Sequence, residues 1–200
     1  ISSKDPNLDY DLSVLSVKKT LEDFKFKKYI FLSSCDVYPN YSDKAFTQES
    51  SQIDVNILSK YGFHKHLAEL LVQNYVSDWL IIRQGGFVGN GIKKNSVFDI
   101  LYGDKLWVHP DSRFQFINTI QSAKLVYQLA DIGISKKIFN LTSNGTISPK
   151  EIMQLAGRNI IVDENAQIIH CEICTKKVSK YVEVPDTFKS VKDFIFSLKN

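Results

Sequence analysis

Residues 29–38 read Tyr-Ile-Phe-Leu-Ser-Ser-Cys-Asp-Val-Tyr, an apolar run that turns polar at its end. Such a continuous run is typical of a strand that is covered on both faces, as in a parallel sheet. Residues 39–58 are polar and predict an irregular surface loop. Residues 59–76 then predict a helix, with Ser59 as its N-cap. A buried strand, a loop and a helix in this order are typical of an α/β fold.

The predicted helix over residues 59–76 carries apolar side chains and two histidines. Its apolar side is expected to contain Leu67, Leu70, Leu71 and Tyr75. His64 and His66 flank Lys65, and we expect both histidines to face solvent.

The rest of the chain alternates predicted strands and helices, which favours an α/β fold with a mainly parallel sheet. Strands are predicted at residues 79–83, 105–108, 114–118 and 137–141, with two or three short ones within 160–184. Helices are predicted at residues 9–24, 94–102, 119–132, 148–156 and 186–198, after a loop over 1–8. The helix at 148–156 has the strongest start signal, because Ser148, Pro149 and Glu151 occupy the cap, first and third positions.

Composition bounds the class of protein. A chain of 200 residues with 44% apolar residues suits one globular domain, or one domain with a small lobe. The net charge of +3 is too small and too dispersed to indicate a nucleic-acid partner. No apolar run is long enough for a membrane span, and the first residues do not resemble a signal peptide. We therefore expect a cytoplasmic protein with no membrane partner.

The three cysteines are Cys35, Cys171 and Cys174, an odd and small number that indicates a reducing compartment. Cys171 and Cys174 have C-x-x-C spacing, but a structural zinc site needs four ligands. Apolar residues recur within 168–173, and this pattern predicts a strand there. We therefore expect no metal site.

Tyr61 and Lys65 are four residues apart, so a helix places them on the same face. A tyrosine hydroxyl has an ordinary pKa of about 10. A nearby ammonium favours the phenolate, so we expect Lys65 to lower the pKa of Tyr61. Such a pair can exchange a proton with a substrate hydroxyl near neutral pH.

Polar side chains also follow two predicted strands, Ser34 after the first and Gln84 after the second. In parallel sheets, chemistry gathers beyond the carboxyl ends of the strands. The glycine-rich residues 85–91 follow the second of these strands. Their spacing is not that of a dinucleotide fingerprint, so a turn that lines the cleft is favoured over a phosphate-binding loop.

Several segments, taken in order, resemble the extended short-chain dehydrogenase/reductase family, the NAD-dependent sugar epimerases and dehydratases. They are the strand end at 33–38, the Tyr-x-x-x-Lys motif at 61–65 with Glu69, and the segments 82–91, 116–119, 139–142 and 147–148. The resemblance implies a partial Rossmann-like parallel sheet with a small C-terminal α+β substrate-binding lobe. It assigns residues 1–84 to the dinucleotide-binding domain and 85–200 mainly to the lobe, with segments near 114–141 returning to the core.

The resemblance implies an NAD(P)-dependent oxidoreductase that acts on a nucleotide sugar, with hydride transfer through the nicotinamide of NAD or NADP. Tyr61 would be the general acid/base, Lys65 would bind the nicotinamide ribose, and Ser34 would hold the reacting sugar oxygen. The backbone of Gln84, Gly85 and Gly86 would face the nicotinamide.

Three further residues are candidates for the substrate side. Asp36 lies where dehydratases often carry a glutamate for proton abstraction, and its alternative role is a loop cap. Its shorter side chain disfavours dehydration. Cys35 would lie beside the substrate. Arg113 could meet a nucleotide diphosphate, the alternative being a surface loop.

The family begins with a strand, a Gly-x-x-Gly-x-x-Gly turn and a helix, which these 200 residues do not contain. The chain thus resembles the C-terminal two-thirds of the family, and we expect it to be inactive alone. We also expect the catalytic strand to form an exposed sheet edge that favours a homodimer or other self-association. The alternative function is a non-catalytic remnant, or a sugar-binding or interaction module, of the same fold.

Overall fold

The computed structural model describes residues 5–199. Its helices are α1 (Pro6–Tyr10), α2 (Ser16–Asp23), α3 (Lys60–Tyr75), α4 (Ser96–Tyr102), α5 (Thr119–Asp131), α6 (Pro149–Ala156) and α7 (Thr187–Ser197). Its strands are β1 (Tyr29–Ser34), β2 (Trp79–Gln84), β3 (Gly86–Val88), β4 (Lys105–Leu106), β5 (Phe116–Asn118), β6 (Lys137–Leu141) and β7 (Ile161–Val162). Within this part of the chain, no helix is both long and apolar enough to cross a membrane.

The central sheet has three parallel strands in the order β1-β2-β6. Tyr29 pairs with Trp79 and Ser34 with Gln84, so β1 and β2 end at the same level. Two further strand pairs, β3-β5 and β4-β7, are parallel and lie outside the central sheet. The predicted parallel α/β arrangement is confirmed, and the matched strand ends set Ser34 beside Gln84.

The two faces of the central sheet are covered unequally. All six residues of β2 are buried, as the continuous apolar pattern predicts. In β1, Phe31 is buried under α2 and α3, but Ile30 and Leu32 are 37% and 50% exposed. The expectation that β1 is covered on both faces is therefore wrong. The reason is that α5 packs over β2 and β6 on the second face, in a cluster that β1 does not join.

The first helical segment starts earlier than the sequence pattern predicts. The expected loop over residues 1–8 is wrong from Pro6 onward, and its first four residues lie outside the described part. The Asp5 carboxylate accepts hydrogen bonds from the backbone N–H groups of Asn7 and Leu8, and Pro6 occupies the first turn. This side chain and proline together form a helix start. A π-helical turn at Asp11–Leu15 joins α1 to α2.

Helix α3 begins where expected, since Ser59 accepts a hydrogen bond from Gly62 N–H. Its buried face, however, is not the leucine side. Ala68, Val72 and Glu69 are fully buried, whereas Leu70 and Tyr75 are 48% and 53% exposed. The expected orientation is wrong because small side chains let the helix approach the sheet and because Glu69 has a buried partner.

The two histidines on α3 do not face solvent as expected. His64 is buried, with Nδ1 2.6 Å from Asp9 Oδ2 on α1. His66 is partly buried, with Nδ1 3.6 Å from Glu69 Oε2. Both rings face acids that are distant in sequence or on the buried side of the helix, which the local sequence pattern does not reveal.

The C-terminal half contains a second core. Helices α4, α6 and α7 pack with β3, β4 and β5 around Val97, Phe116, Ile152 and Val191. The predicted capping box of α6 is present: Ser148 accepts from Glu151 N–H, and Glu151 accepts from Ser148 N–H. Residues of β5, α5 and β6 instead join the central-sheet cluster, in contact with Leu80 and Ile82.

The strand expected over residues 168–173 does not form, and the wider 160–184 region holds only β7 within the described residues. The backbone N–H groups of this segment divide between two parts of the protein, residues 112–115 and Tyr41. Cys171 donates to Arg113 O, Glu172 to Tyr41 O, and Ile173 to Gln115 Oε1. Because its partners alternate between segments, the chain cannot build a ladder with any one of them.

Candidate active site

A cavity of about 670 Å³ lies beyond the carboxyl ends of β1 and β2. It lies between the central sheet and the second core, where parallel α/β sheets commonly bind ligands. Its lining includes Ser34, Cys35, Asp36, Tyr61, Lys65, Gln84–Phe87, Asn90–Asn95, Gln115, Thr119, Thr142, Cys171 and Ile173. The fold thus brings together every predicted site residue except Arg113.

Ser34 is fixed by the end of its strand. Its hydroxyl accepts a hydrogen bond from Asp36 N–H at 3.1 Å and so caps the turn Cys35–Val37. This bond orients the Ser34 oxygen and uses one of its lone pairs. The hydroxyl proton stays available for Tyr61 or for a ligand in the cavity.

Gly62 sets the distance between α3 and the turn after β1. A Cβ at this position would overlap the carbonyl oxygen of Asp36, so only glycine allows the two backbones to lie this close. Tyr61 is the next residue in the chain. The close approach therefore determines how near the Tyr61 phenol lies to Ser34.

The pKa of Tyr61 is raised, so the expectation that Lys65 lowers it is wrong. Burial raises the Tyr61 pKa most, the Asp36 carboxylate raises it further, and a hydrogen bond with Ser34 lowers it. Desolvation of the phenolate outweighs this one opposing contact. Tyr61 is therefore protonated at neutral pH.

Lys65 lies on the same face of α3 but is directed to the sheet. Its Nζ donates to Leu32 O at 3.2 Å and lies 5.1 Å from the centre of the Phe31 ring and 6.0 Å from that of Tyr61. Burial lowers the pKa of Lys65, and the carboxylates of Asp9 and Glu69 oppose that shift. The ammonium group lines the cavity without an acidic partner in direct contact among residues 5–199.

The backbone at Gln84, Gly85 and Gly86 forms part of the cavity wall. The Gln84 amide oxygen accepts a hydrogen bond from the Ser122 hydroxyl. A Cβ at Gly85 would lie 2.6 Å from Thr142 Cβ, and one at Gly86 would lie 2.6 Å from Gln115 O. Both glycines are thus required by close packing.

The predicted substrate-side residues occupy different environments. Asp36 is exposed, and the cap of its turn is Ser34, so the loop-cap alternative for Asp36 is wrong. Cys35 is buried, its Sγ lies 3.4 Å from Arg83 O, and burial raises its pKa well above the ordinary value. Arg113 lies outside the cavity lining and pairs with Glu151 at 2.5 Å. That Arg113 contacts a nucleotide diphosphate stays a prediction.

The sequence pattern did not predict that a buried ion pair lies behind the cavity. Arg83 donates two hydrogen bonds to Glu69, at 3.0 and 2.8 Å, and a third to Tyr38. Ser33 also donates to Glu69, at 2.6 Å. The available signal was an arginine inside an apolar strand, since a buried charge requires a partner.

Comparisons with known proteins agree with the geometry. Residues 4–96 match the sequence model of the NAD dependent epimerase/dehydratase family. No curated protein matches the chain. The predicted resemblance to this family is confirmed over that segment.

Solved structures extend the likeness to nearly the whole chain at the level of fold. A UDP-galactose 4-epimerase has a TM-score of 0.79 at 16% identity, over 99% of this chain and 73% of that one. UDP-N-acetylglucosamine 4-epimerase from Methanobrevibacter ruminantium, in complex with UDP-N-acetylmuramic acid, has 0.77 at 16%, over 100% and 73%. RMD from Pseudomonas aeruginosa, complexed with NADPH, has 0.76 at 16%, over 98% and 77%. The predicted partial Rossmann-like fold is confirmed.

Proposed function

We propose that this chain carries the catalytic residues of an NAD(P)-dependent oxidoreductase of the epimerase/dehydratase type, which acts on a nucleotide sugar. One observation carries the proposal. Ser34, Tyr61 and Lys65 line a single cavity at the carboxyl ends of two parallel strands, beside the glycine backbone at 85–86. The family match over residues 4–96 covers all three side chains and supports the same reading.

The roles follow from the protonation states. Tyr61 holds its proton at neutral pH, because burial and Asp36 raise its pKa. It can therefore donate that proton to a sugar oxygen and recover it when the sugar hydroxyl is oxidised. Ser34 lies beside the phenol and can hold the same oxygen by a hydrogen bond. A positive charge close to the phenol would favour the phenolate, which is the state that accepts a proton.

The residues fit a nicotinamide cofactor on one side of the cavity. Gly85 and Gly86 present backbone without a side chain, and Lys65 supplies an ammonium donor. We propose that Tyr61, Lys65 and the backbone of Gln84–Gly86 hold the nicotinamide and its ribose. When bound, NAD or NADP supplies the acceptor and donor of hydride. A structural neighbour was solved with NADPH.

On the substrate side we propose Ser34, Cys35 and Asp36, with Arg113 as a contact of the nucleotide diphosphate. Asp36 is exposed and borders the cavity, so its carboxylate can reach a ligand. Arg113 would have to leave Glu151, with which it is paired. One structural neighbour was solved with a UDP-linked sugar acid, which supports the nucleotide-sugar class.

We further propose that residues 1–200 alone are inactive, because they include no Gly-x-x-Gly-x-x-Gly turn to bind the cofactor pyrophosphate. We propose a cytoplasmic location, supported by three free cysteines in the described residues. We also propose that the chain self-associates through the edge of β1. This strand pairs with β2 on one side only within residues 5–199.

The test compares Tyr61→Phe and Lys65→Met with the unmodified protein, in the complete gene product. With a panel of UDP-sugars and NAD or NADP, we expect each variant to lose at least about 100-fold in kcat, the usual scale of acid–base catalysis. NADH and NADPH are also titrated into residues 1–200 by fluorescence. Turnover that survives both substitutions would reject the catalytic assignment. Sugar-nucleotide binding without turnover in the unmodified protein would favour the non-catalytic sugar-binding module.

A further inference from the structure

We infer that Thr142 is a ligand-binding residue on the floor of the cavity and that its hydroxyl hydrogen-bonds a hydroxyl or amide group of the bound ligand. This inference rests on the proposed function, since it assigns a further contact to the same cavity. No role for Thr142 follows from the motif of Ser34, Tyr61 and Lys65.

The first observation is an unpartnered polar atom. Thr142 follows the last residue of β6, is fully buried and borders the cavity. Its Oγ1 has no hydrogen-bond partner among residues 5–199. A buried hydroxyl without a partner carries a desolvation cost that a structural role alone does not explain.

A second buried threonine shows what a structural hydroxyl looks like in this protein. Thr47 is also fully buried. Its Oγ1 accepts from Cys174 N–H at 2.9 Å and donates to Glu172 O at 3.2 Å. The Thr47 hydroxyl thus links two segments of the chain, whereas the Thr142 hydroxyl links none.

The shape of the floor depends on Thr142 together with Gly85. A Cβ on Gly85 would lie 2.6 Å from Thr142 Cβ, 2.7 Å from its Oγ1 and 3.3 Å from its Cγ2. The threonine side chain thus occupies the space next to the bare backbone of Gly85. The proposed nicotinamide-facing segment and the unpartnered hydroxyl therefore meet at one place.

Two neighbouring polar groups have protein partners, whereas the Thr142 hydroxyl has none among residues 5–199. Gly85 N–H donates to Leu141 O at 3.1 Å, and the Gln84 amide oxygen accepts from Ser122 at 2.9 Å. A threonine hydroxyl donates one hydrogen bond and accepts up to two. It suits either a sugar hydroxyl or the carboxamide of a nicotinamide, and the experiment separates these two sources.

The test uses Thr142→Val, which keeps the shape of the side chain and removes only the hydroxyl, and Thr142→Ser, which restores it. Thr47→Val is the matched control. Melting temperatures are measured without ligand. Dissociation constants are measured separately for UDP-glucose, UDP-galactose and NADH in the complete gene product.

Without ligand, Thr142→Val should melt at the same or a higher temperature, because it removes an unpartnered polar atom, whereas Thr47→Val should melt lower. For at least one ligand, Thr142→Val should bind about 3- to 10-fold more weakly, the loss expected for one hydrogen bond, and Thr142→Ser should recover most of it. The ligand that is weakened identifies the sugar or the nicotinamide as the contact.

Three results would overturn the inference in different ways. Equal affinity of the unmodified protein and Thr142→Val for every ligand they bind would reject the role of Thr142 and leave the proposed function standing. A fall in melting temperature as large as that of Thr47→Val, without selective weakening of binding, would show a structural hydroxyl. Failure of the unmodified protein to bind any of the three ligands would reject this inference, and failure with the whole panel of UDP-sugars and with both NADH and NADPH would reject the proposed function.

Discussion

At the scale of single residues, the candidate site is controlled by the environment of Tyr61. Its phenol is partly buried, lies beside the Ser34 hydroxyl and is influenced by the Asp36 carboxylate. Burial raises the Tyr61 pKa most, the carboxylates of Asp36 and Asp9 raise it further, and the Ser34 hydrogen bond lowers it. The same side chain would titrate differently on an exposed helix, so its chemistry belongs to the assembled cavity.

Replacing Asp36 with asparagine should lower the pKa of Tyr61. The carboxylate disfavours the phenolate, and its removal leaves burial as the main cause of the raised value. The measurement is an NMR titration of protein labelled with ¹³C at the tyrosine ring carbon that bears the hydroxyl, with Tyr61→Phe to assign the resonance. Asp111→Asn, on an exposed loop, is the control and should leave that resonance unchanged. An unshifted or higher pKa in Asp36→Asn would contradict the electrostatic account.

At the scale of elements, α3 is held on the central sheet by polar contacts as much as by apolar ones. The Glu69–Arg83 pair joins α3 to β2 and lies one turn after Lys65. Tyr38 continues the network by donating to Asn140 on β6. The helix that carries Tyr61 and Lys65 is thereby connected with all three strands whose carboxyl ends form the cavity.

Replacing Glu69 with glutamine should destabilise the fold by about 3–5 kcal/mol at neutral pH, because the buried Arg83 charge loses its partner. Glu22→Gln is the control, since Glu22 pairs with Lys18 on an exposed helix surface, where such a pair contributes at most about 0.5 kcal/mol. Urea unfolding of the three proteins gives the comparison. Equal free energies of unfolding for Glu69→Gln and the unmodified protein would show that the ion pair does not hold α3 on the sheet.

The Glu69 pair also predicts a pH dependence. Burial alone would raise the Glu69 pKa, but contacts with His66, Arg83 and Ser33 lower it overall. A carboxyl whose folded-state pKa is depressed stabilises the fold above its ordinary pKa, and this stability is lost as pH falls through the folded value. The free energy of unfolding of Glu69→Gln should therefore fall less steeply below about pH 4 than that of the unmodified protein.

At the scale of the whole molecule, two cores meet around one cavity. The end of β1 and helix α3 supply Ser34, Tyr61 and Lys65, and the residues on either side of β5 supply Gln115 and Thr119. The side chain of Gln115 binds the backbone of Ile173 through both its amide groups, at 2.6 and 3.3 Å. The segment that the sequence predicts as a strand is thus held across the cavity as an irregular wall.

The open edge of β1 gives a prediction for assembly. Ile30 is partly exposed on an edge strand, and such edges pair readily with other chains. Ile30→Lys should shift residues 1–200 toward the monomer in sedimentation velocity, because a charged side chain on an edge opposes pairing. Ile161→Lys, at an exposed position on β7, is the matched control. A monomeric unmodified chain would reject the proposed self-association.

The sequence by itself determined most of the strand and helix order, the caps at Ser59 and Ser148 and the Tyr-x-x-x-Lys spacing, because apolar periodicity, capping and spacing along a helix are local properties. It could not determine which face of α3 is buried or where His64 points, since Glu69 and Asp9 decide these through partners on other elements. Only the tertiary structure decided the protonation of Tyr61, whose pKa depends on burial and on Asp36. For the same reason, only the fold could place an unpartnered threonine hydroxyl against Gly85. Local sequence specifies elements, whereas burial and electrostatics arise when distant elements pack together.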